Sequence, residues 1–309
     1  MLDPRQLTLL QEIARAGSYS AAGRTLGFTQ PAITYQMRCL EREVGAPLTV
    51  RTGRTMQLTE TGRALLVHAE RILSVLRAAE DDMRARRDNG AGRIRLAAFP
   101  SSCATVVPAA LVGLRETHPN TLIELVQAEP PQARELIRRG EVDVALTYRL
   151  GTLPRQAAPT DASGLAQIPV LSEQVHLVLP MDHAEAGQHM IDIGALRDDT
   201  FIIAGTHFGD LLHRLASRAG FTPRMLVVAD DYVVMQAMAA AGFGVSFIPD
   251  LALRAHRDPR IVSRSLRDWP QRHIQVELWP DTRRVDAVQA LVERLTTIAT
   301  ARTHVRRPA

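Results

Sequence analysis

Between Ser18 and Glu43 the chain carries a spacing that few arrangements other than a helix-turn-helix accept, and a long 4-3 apolar repeat follows from Thr59. Ser18 is placed to cap a short helix whose inner face is Ala21, Ala22 and Leu26. Gly27-Phe28 then forces a turn into a second helix capped by Thr29, with Pro31 in the first turn, where a missing N–H costs nothing. Ile33, Met37, Leu40 and Val44 recur at intervals of four, three and four, one buried stripe. The opposite face carries Gln30, Thr34, Tyr35, Arg38 and Arg42, side chains that can hydrogen-bond base edges and phosphates. The N-terminal half of such a helix is the part that enters a major groove.

A first helix over residues 4–16, with Leu7, Leu10, Ile13 and Ala14 on one face, completes a three-helix unit. Residues 48–51 and 55–58 flank Thr52-Gly53-Arg54 and read as a hairpin, a wing whose Arg51 and Arg54 suit phosphates or a minor groove. Thr59 caps a helix running to about Arg87, in which Leu65, Ala69, Ile72, Leu76, Ala79 and Met83 alternate by four and three. A 3.5-residue period of that length is a seam for a partner helix, so dimerisation is expected. The competing reading is an amphipathic helix packed on its own domain. Residues 88–92, Asp-Asn-Gly-Ala-Gly, break the chain like an interdomain hinge.

From Arg93 strands alternate with helices. Strands are expected at 93–99, 121–126 and 142–147 and helices at 105–118 and 131–139, a βαβαβ unit with a parallel sheet. A Pro/Ala-rich passage at 151–163 leads to a second unit, with strands at 173–179, 201–204, 225–228 and 245–248 and helices at 210–219 and 231–241. A strand at 273–278 and a final helix at 281–300 return to the first unit. The expected class is thus multidomain α/β. Its parts are a DNA-binding head at 1–58, a dimerising linker helix at 59–89, and a ligand-binding part at 90–309. In the last, lobe I takes 92–162 and 268–303 and lobe II 163–267. Two lobes joined by two crossings make a hinged clamshell, and ligands of such sheets bind beyond the strands' carboxyl ends.

Charge placement agrees. The chain has no lysine, and residues 1–58 hold seven arginines against four acids, whereas 92–301 hold 21 against 23. The basic excess lies on the head and in a tail cluster, Arg302, Arg306 and Arg307, which favours a polyanion partner over a membrane surface. No apolar run approaches the ~20 residues that cross a bilayer, and residues 1–5 lack the layout of a signal peptide, so a cytoplasmic protein is expected. Cys39 and Cys103 are far apart and lack metal-type spacing.

With these residues in view, the chain resembles the LysR-type transcriptional regulators. The match runs through Ala21-Ala22 with Leu26, Thr29-Gln30-Pro31-Ala32-Ile33-Thr34, Leu40-Glu41, Val44-Gly45, Leu48, Arg51-Thr52 and Leu58-Thr59-Glu60-Thr61-Gly62. It continues in Gly140-Glu141-Val142-Asp143-Val144-Ala145 and Ala240-Ala241-Gly242-Phe243-Gly244-Val245. The resemblance implies a winged helix-turn-helix, a dimerising linker helix and a two-lobed, periplasmic-binding-protein-like (Rossmann-like) effector domain. It also implies a homotetramer working on interrupted palindromes of double-stranded DNA. On this likeness Gln30, Pro31, Thr34 and Arg38 match the recognition surface, with Ser20 and Thr29 beside it, and Arg51 and Arg54 match the wing. Tyr35 departs from it, since many members place Arg there, and so does Thr49-Val50.

Pro100-Ser101-Ser102-Cys103 follows the first strand of the ligand-binding part and opens a helix, so two hydroxyls are expected beside free backbone N–H groups, a place for an anion. In the competing reading these serines only cap the helix. The family pocket adds strand ends that map to Thr147, Tyr148 and Arg149 in one lobe and Thr206, His207 and Phe208 in the other. The effector expected is a small anionic metabolite that changes the angle between the lobes. An enzyme would need Cys103 as a nucleophile with a lowered pKa and His207 as its base. No nucleophile elbow, carboxylate pair or Gly-rich phosphate loop accompanies them, so no catalysis and no cofactor are expected. The peroxide-sensing relatives' second-lobe cysteine pair is missing, and the ten histidines form no metal-ligand pair. A transporter's solute-binding protein is a further alternative, disfavoured by the head and by the missing signal peptide.

Overall fold

Short polar side chains set the helix starts of the head. Asp3 accepts from the Arg5 N–H (2.8 Å) at the start of α1 (Pro4–Ala16), and Ser18 accepts from the Ala21 N–H (3.1 Å) at the start of α2 (Tyr19–Leu26). Thr29 stands at the N-cap of α3 (Gln30–Val44), but its side chain makes no cap bond, contrary to expectation. Pro31, which has no N–H to satisfy, lowers the need for one. Leu9, Leu10, Ile13, Ala22, Ile33, Met37, Leu40 and Leu48 close one core. The wing is β1 (Thr49–Thr52) antiparallel to β2 (Thr55–Leu58), and Glu41 ties it to α3 by accepting from the N–H groups of Leu48 (2.9 Å) and Thr49 (3.3 Å). A computed structural model describes residues 1–53, 55–87, 92–151, 164–204, 207–228 and 231–303, with the backbone alone described at 82, 84–86, 204, 207, 227–228 and 299–303.

Thr59 Oγ1 accepts from the Gly62 N–H (3.0 Å) and opens α4 (Glu60–Arg87). Here the seam divides. Ala69 is fully buried with Leu73 against Leu7 of α1, and Leu65 packs beside them, so Leu65 and Ala69 are taken up by the chain's own head. The physical reason is the small Ala69, which lets α1 and α4 approach closely along Leu7. Farther along, Ile72 and Leu76 are each 39% exposed and Met83 57%, with Ala79 exposed between them.

The next sheet holds five strands in the order β4-β3-β5-β13-β6: β3 (Arg93–Ala98), β4 (Leu122–Gln127), β5 (Val144–Leu150), β6 (Ala166–Glu173) and β13 (Arg272–Leu278). β3, β4 and β5 are parallel, as the βαβαβ reading requires, and β13 is antiparallel to β5 and β6. α5 (Pro100–Cys103) and α6 (Val106–Thr117) follow β3, α7 (Pro130–Arg139) follows β4, and α11 (Asp286–Thr303) packs on α6. The expected single helix at 105–118 is thus preceded by a separate turn, and the last helix starts five residues later than expected.

The second sheet has the order β10-β9-β11-β7-β12-β8: β7 (Val175–Pro180), β8 (Met190–Ile191), β9 (Thr200–Ala204), β10 (Arg224–Val228), β11 (Val245–Pro249) and β12 (Ile261–Leu266). Its helices are α8 (His207–Arg218), α9 (Tyr232–Ala240) and α10 (Asp250–Ala255). β6 belongs to the first sheet, which corrects the placement of 163–173 in lobe II: the chain crosses between lobes after Glu173 and again between Leu266 and Arg272. Asp268 on the second crossing is the one non-glycine residue with positive φ among the described residues (61°).

Candidate functional site

In the head, Gln30, Pro31, Tyr35 and Arg38 are exposed on the face of α3 opposite the Ile33/Met37/Leu40 stripe. Thr34 is half-buried and its hydroxyl donates to the Gln30 carbonyl one turn back (3.0 Å). Ser20, Thr29 and Arg51 are exposed, and Arg51 Nε donates to the Gly53 carbonyl (3.2 Å), which holds its stem over the wing turn. Arg54 lies outside the described residues. Phe28 and Tyr35 are the large exposed aromatics of this surface, at 61% and 63%.

At the other end of the molecule the carboxyl ends of β3 and β4 face the lobe II segments after β10 and β11 across a cavity of about 350 Å³. Ser101, Ala104 and Gln127 line it from lobe I, and Tyr232, Val233 and His256 from lobe II. Asp231, also on the rim, is occupied as the α9 cap, accepting from the N–H groups of Val233 (2.8 Å) and Val234 (3.2 Å). Behind Ser101 lies Arg272, fully buried. Its Nε donates to Glu173 Oε1 (2.6 Å), its Nη2 donates to Ser101 Oγ (2.7 Å), and Phe99 and Tyr148 stack on it at 4.7 and 4.6 Å. Glu173 Oε2 accepts from the Leu251 N–H at the start of α10 (2.7 Å), so this cluster spans the hinge. The Tyr148 hydroxyl donates to Glu129 Oε2 (2.7 Å), and burial pushes the Tyr148 phenol far up. Burial likewise pushes Tyr232 up to about 12 against the pull of the Arg272 guanidinium, so both hydroxyls keep their protons.

Residues 4–63 match the family described as "Bacterial regulatory helix-turn-helix protein, lysR family", and residues 87–299 match "LysR substrate binding domain". The chain belongs to the LysR family. It is similar to the Hca operon transcriptional activator HcaR of Escherichia coli, 30% identical over 254 residues covering 80% of this chain and 82% of that one. The transcriptional dual regulator GltC of Bacillus subtilis is 26% identical over 275 residues, covering 87% and 88%. Among solved structures, full-length OxyR C199D from Pseudomonas aeruginosa superposes with a TM-score of 0.64 at 20% identity, covering 97% of both chains. Full-length CbnR complexed with its target DNA gives 0.55 at 23%, covering 95% and 99%. This LysR-family chain is a DNA-binding transcriptional regulator with an effector-binding domain.

Within that domain the residues expected in the pocket separate. Ser101 borders the cavity and Tyr148 stands at the Arg272 cluster. Ser102 is buried and its hydroxyl donates to the Phe99 carbonyl (2.7 Å), a bond back onto the turn, and no side chain caps α5, so the capping reading does not hold for it. The N–H groups of Ser102 and Cys103 also donate to that carbonyl (3.0 and 3.1 Å), and α5 is only four residues long, so the expected row of free amides does not form. Cys103 Sγ donates to the Ala98 carbonyl and burial pushes its thiol up to about 11, the reverse of the lowered pKa a nucleophile needs. Thr147 points to the other face of the sheet and donates to Glu277 Oε1 (2.9 Å) beneath Arg134 of α7. Arg149 shares that face, beside His273 and Ser172. Alternation along β5 explains both: Tyr148 faces one side, Thr147 and Arg149 the other. Phe208 is a lobe II core residue packed on Trp269 (6.0 Å), in one cluster with Leu212 and Leu215 farther along α8. Thr206 and the His207 side chain lie outside the described residues. Arg272, Glu173, Tyr232, Gln127 and His256 stand in no sequence motif that marks them for the site.

Proposed function

We propose that this chain is a cytoplasmic, homo-oligomeric regulator that reads an interrupted palindrome and responds to a small anionic metabolite held between its lobes. Gln30, Pro31, Thr34, Tyr35 and Arg38 would meet base edges, with Ser20, Thr29, Arg51 and Arg54 on the backbone. The head at 1–58, linker at 59–89 and effector domain at 90–309 would be its working units. The observation that carries the reading is the continuity of α4, which packs on α1 of the head and on lobe I of the effector domain. Ser74 Oγ lies 3.4 Å from Thr282 Oγ1, Arg71 pairs with Asp281 (3.5 Å) and Asp81 with Arg95 (3.5 Å). Through such a strut a change in lobe angle would move the head relative to its partner and alter the bend imposed on DNA. The exposed Ile72, Leu76, Ala79 and Met83 stripe and the apolar edge strand β4, with Leu122, Leu125 and Val126 exposed, support self-association into a dimer and then a tetramer. A non-catalytic protein is favoured by the raised Cys103 thiol. Among the described residues no helix is long and apolar enough to cross a membrane.

The test is a footprint of the purified protein on the intergenic DNA beside its own gene. A protected palindrome is expected. Equal affinity for that DNA and for random duplex at physiological salt would overturn the reading.

A further inference from the structure

The guanidinium of Arg272 is fully buried, yet one of its nitrogens has nothing to do: Nη1 makes no hydrogen bond among the described residues. The stacked rings of Phe99 and Tyr148 cover its faces, but a ring face does not satisfy an in-plane donor. A buried charged donor left unpaired is costly, and such groups in folded proteins are met by water, an ion or a ligand.

Three observations select the ligand. The first is position: Arg272 and Glu173 are register partners on β13 and β6, at the lobe I sheet end where β3, β4 and β5 finish. Ser101, which Arg272 touches, and Tyr232, whose phenol feels its charge, both line the 350 Å³ cavity. The second is the direction of the Ser101 hydroxyl. Its oxygen already accepts from Arg272 Nη2, so its own hydrogen is free for a second acceptor. The third is that the two carboxylates described beside Arg272 and Tyr148 are already engaged. Glu173 has one oxygen on Arg272 and the other on the Leu251 N–H, and Glu129 takes the Tyr148 hydroxyl. What remains at this point is a set of donors, Arg272 Nη1, the Ser101 O–H and the Tyr232 O–H. A planar group with two acceptor oxygens fits it.

We propose that Arg272 and Ser101 together anchor a carboxylate of the effector, and that Glu173, bonded to both Arg272 and the α10 backbone, carries the occupancy of that anchor to lobe II. The proposal rests on the reading of the interlobe cleft as the effector site. It moves the anion-binding element from the helix start at residues 100–103 to a side chain from the far end of the chain. Closing a carboxylate onto Nη1 weakens the pull of Arg272 on Glu173, and the Glu173 to Leu251 bond then sets how α10 sits against α5.

The experiment uses the full-length protein with acetate, succinate and benzoate as probes, each beside its uncharged amide, and inorganic phosphate, all at constant ionic strength. Thermal midpoint and tryptophan fluorescence are followed, since Trp269 lies on the second interlobe crossing. At least one carboxylate should stabilise the protein while its amide does not. Arg272→Lys keeps the charge, but a compact ammonium on a shorter reach lacks the planar fork that holds Glu173, Ser101 and a carboxylate at separate positions, so affinity for that carboxylate should fall roughly 10- to 150-fold. Ser101→Ala, which leaves the buried ion pair in place, should lower affinity while preserving the fold, and it keeps the test open if Arg272→Lys does not fold. Equal stabilisation by acid and amide, a response to phosphate alone, unchanged affinity in either folded variant, or no response to any probe would each overturn the anchor. None of these outcomes touches the footprint, so loss of the anchor is distinguishable from loss of the regulator reading.

Discussion

Gln30 and Thr34 stand one turn apart on α3 but do not offer DNA the same chemistry. The Gln30 amide is exposed with both donor and acceptor available, whereas the Thr34 hydroxyl is already donating to the helix backbone, leaving mainly its methyl group to face a base. Gln30→Ala should therefore weaken the operator by ~1–3 kcal/mol and leave random DNA unaffected, while Thr34→Val should cost less than about 0.5 kcal/mol. Titration of both variants against the footprinted site and a scrambled one decides it, and an equal loss for the two would refute the assignment. Spent groups likewise decide what is legible at the effector end. Ser101 and Tyr148 were legible as residues at strand ends. Ser102 was legible only as one of two hydroxyls, because the carbonyl that consumes it belongs to Phe99 and becomes visible only when the turn is built. Arg272 carried no local signal. It reaches the cleft because β13 runs antiparallel to its neighbours, which brings its first residue to the end where the parallel strands stop.

At the scale of elements, the two halves of the α4 heptad repeat part: the first packs on its own head, and the second stays exposed, as the proposed partner seam requires. The first positions bury against α1 because the head offers Leu7 there, and the later ones, Ile72, Leu76, Ala79 and Met83, stay exposed. Ala69→Asp should accordingly lower the thermal midpoint of the head, as a carboxylate buried without a partner costs ~3 kcal/mol or more. Leu76→Asp should leave the fold intact and shift the protein toward monomer in light scattering. A Leu76→Asp protein that unfolds like the Ala69 variant but stays dimeric would reverse the division. The strands teach a related lesson. The parallel strands are legible from apolar runs, but β6 lacks that signal, because Pro169 interrupts it and a Pro/Ala-rich passage precedes it. Proline is admissible there because β6 is the sheet edge and its pairing with β13 shifts register at Ile274/Gln275. That one strand also moved the lobe boundary, from 163 to the crossing after Glu173.

Across the whole molecule, the contact that makes the regulator one mechanical unit is the packing of head and linker on lobe I. Gln11 of α1 donates to the Arg138 carbonyl at the end of α7 (2.8 Å), and Arg77 of α4 fills the space that a side chain at Gly140 would need. Between these contacts α1, α4 and α7 leave a gap of about 560 Å³, and Glu70 faces it beside Arg138, Arg139 and Glu135. Burial pushes the Glu70 carboxyl up to about 7, with Glu135 adding to the rise and Arg138 opposing it. The docked arrangement thus holds a proton that the separated one releases. Its contribution is greatest below the ordinary carboxyl value of 4.5, declines as pH rises toward 7, and is flat beyond. Glu70→Gln should remove that slope and raise the thermal midpoint at pH 8 by roughly 2–4 °C, the shift expected for about 1 kcal/mol in a chain of this size. Midpoints of both proteins measured across pH 5 to about 8 give the comparison, with hydrogen exchange along α7 reporting whether docking itself responds. If wild type and Glu70→Gln show the same pH dependence, Glu70 is not what couples the linker to the effector domain, and the strut must depend on the Arg71, Ser74 and Asp81 contacts instead.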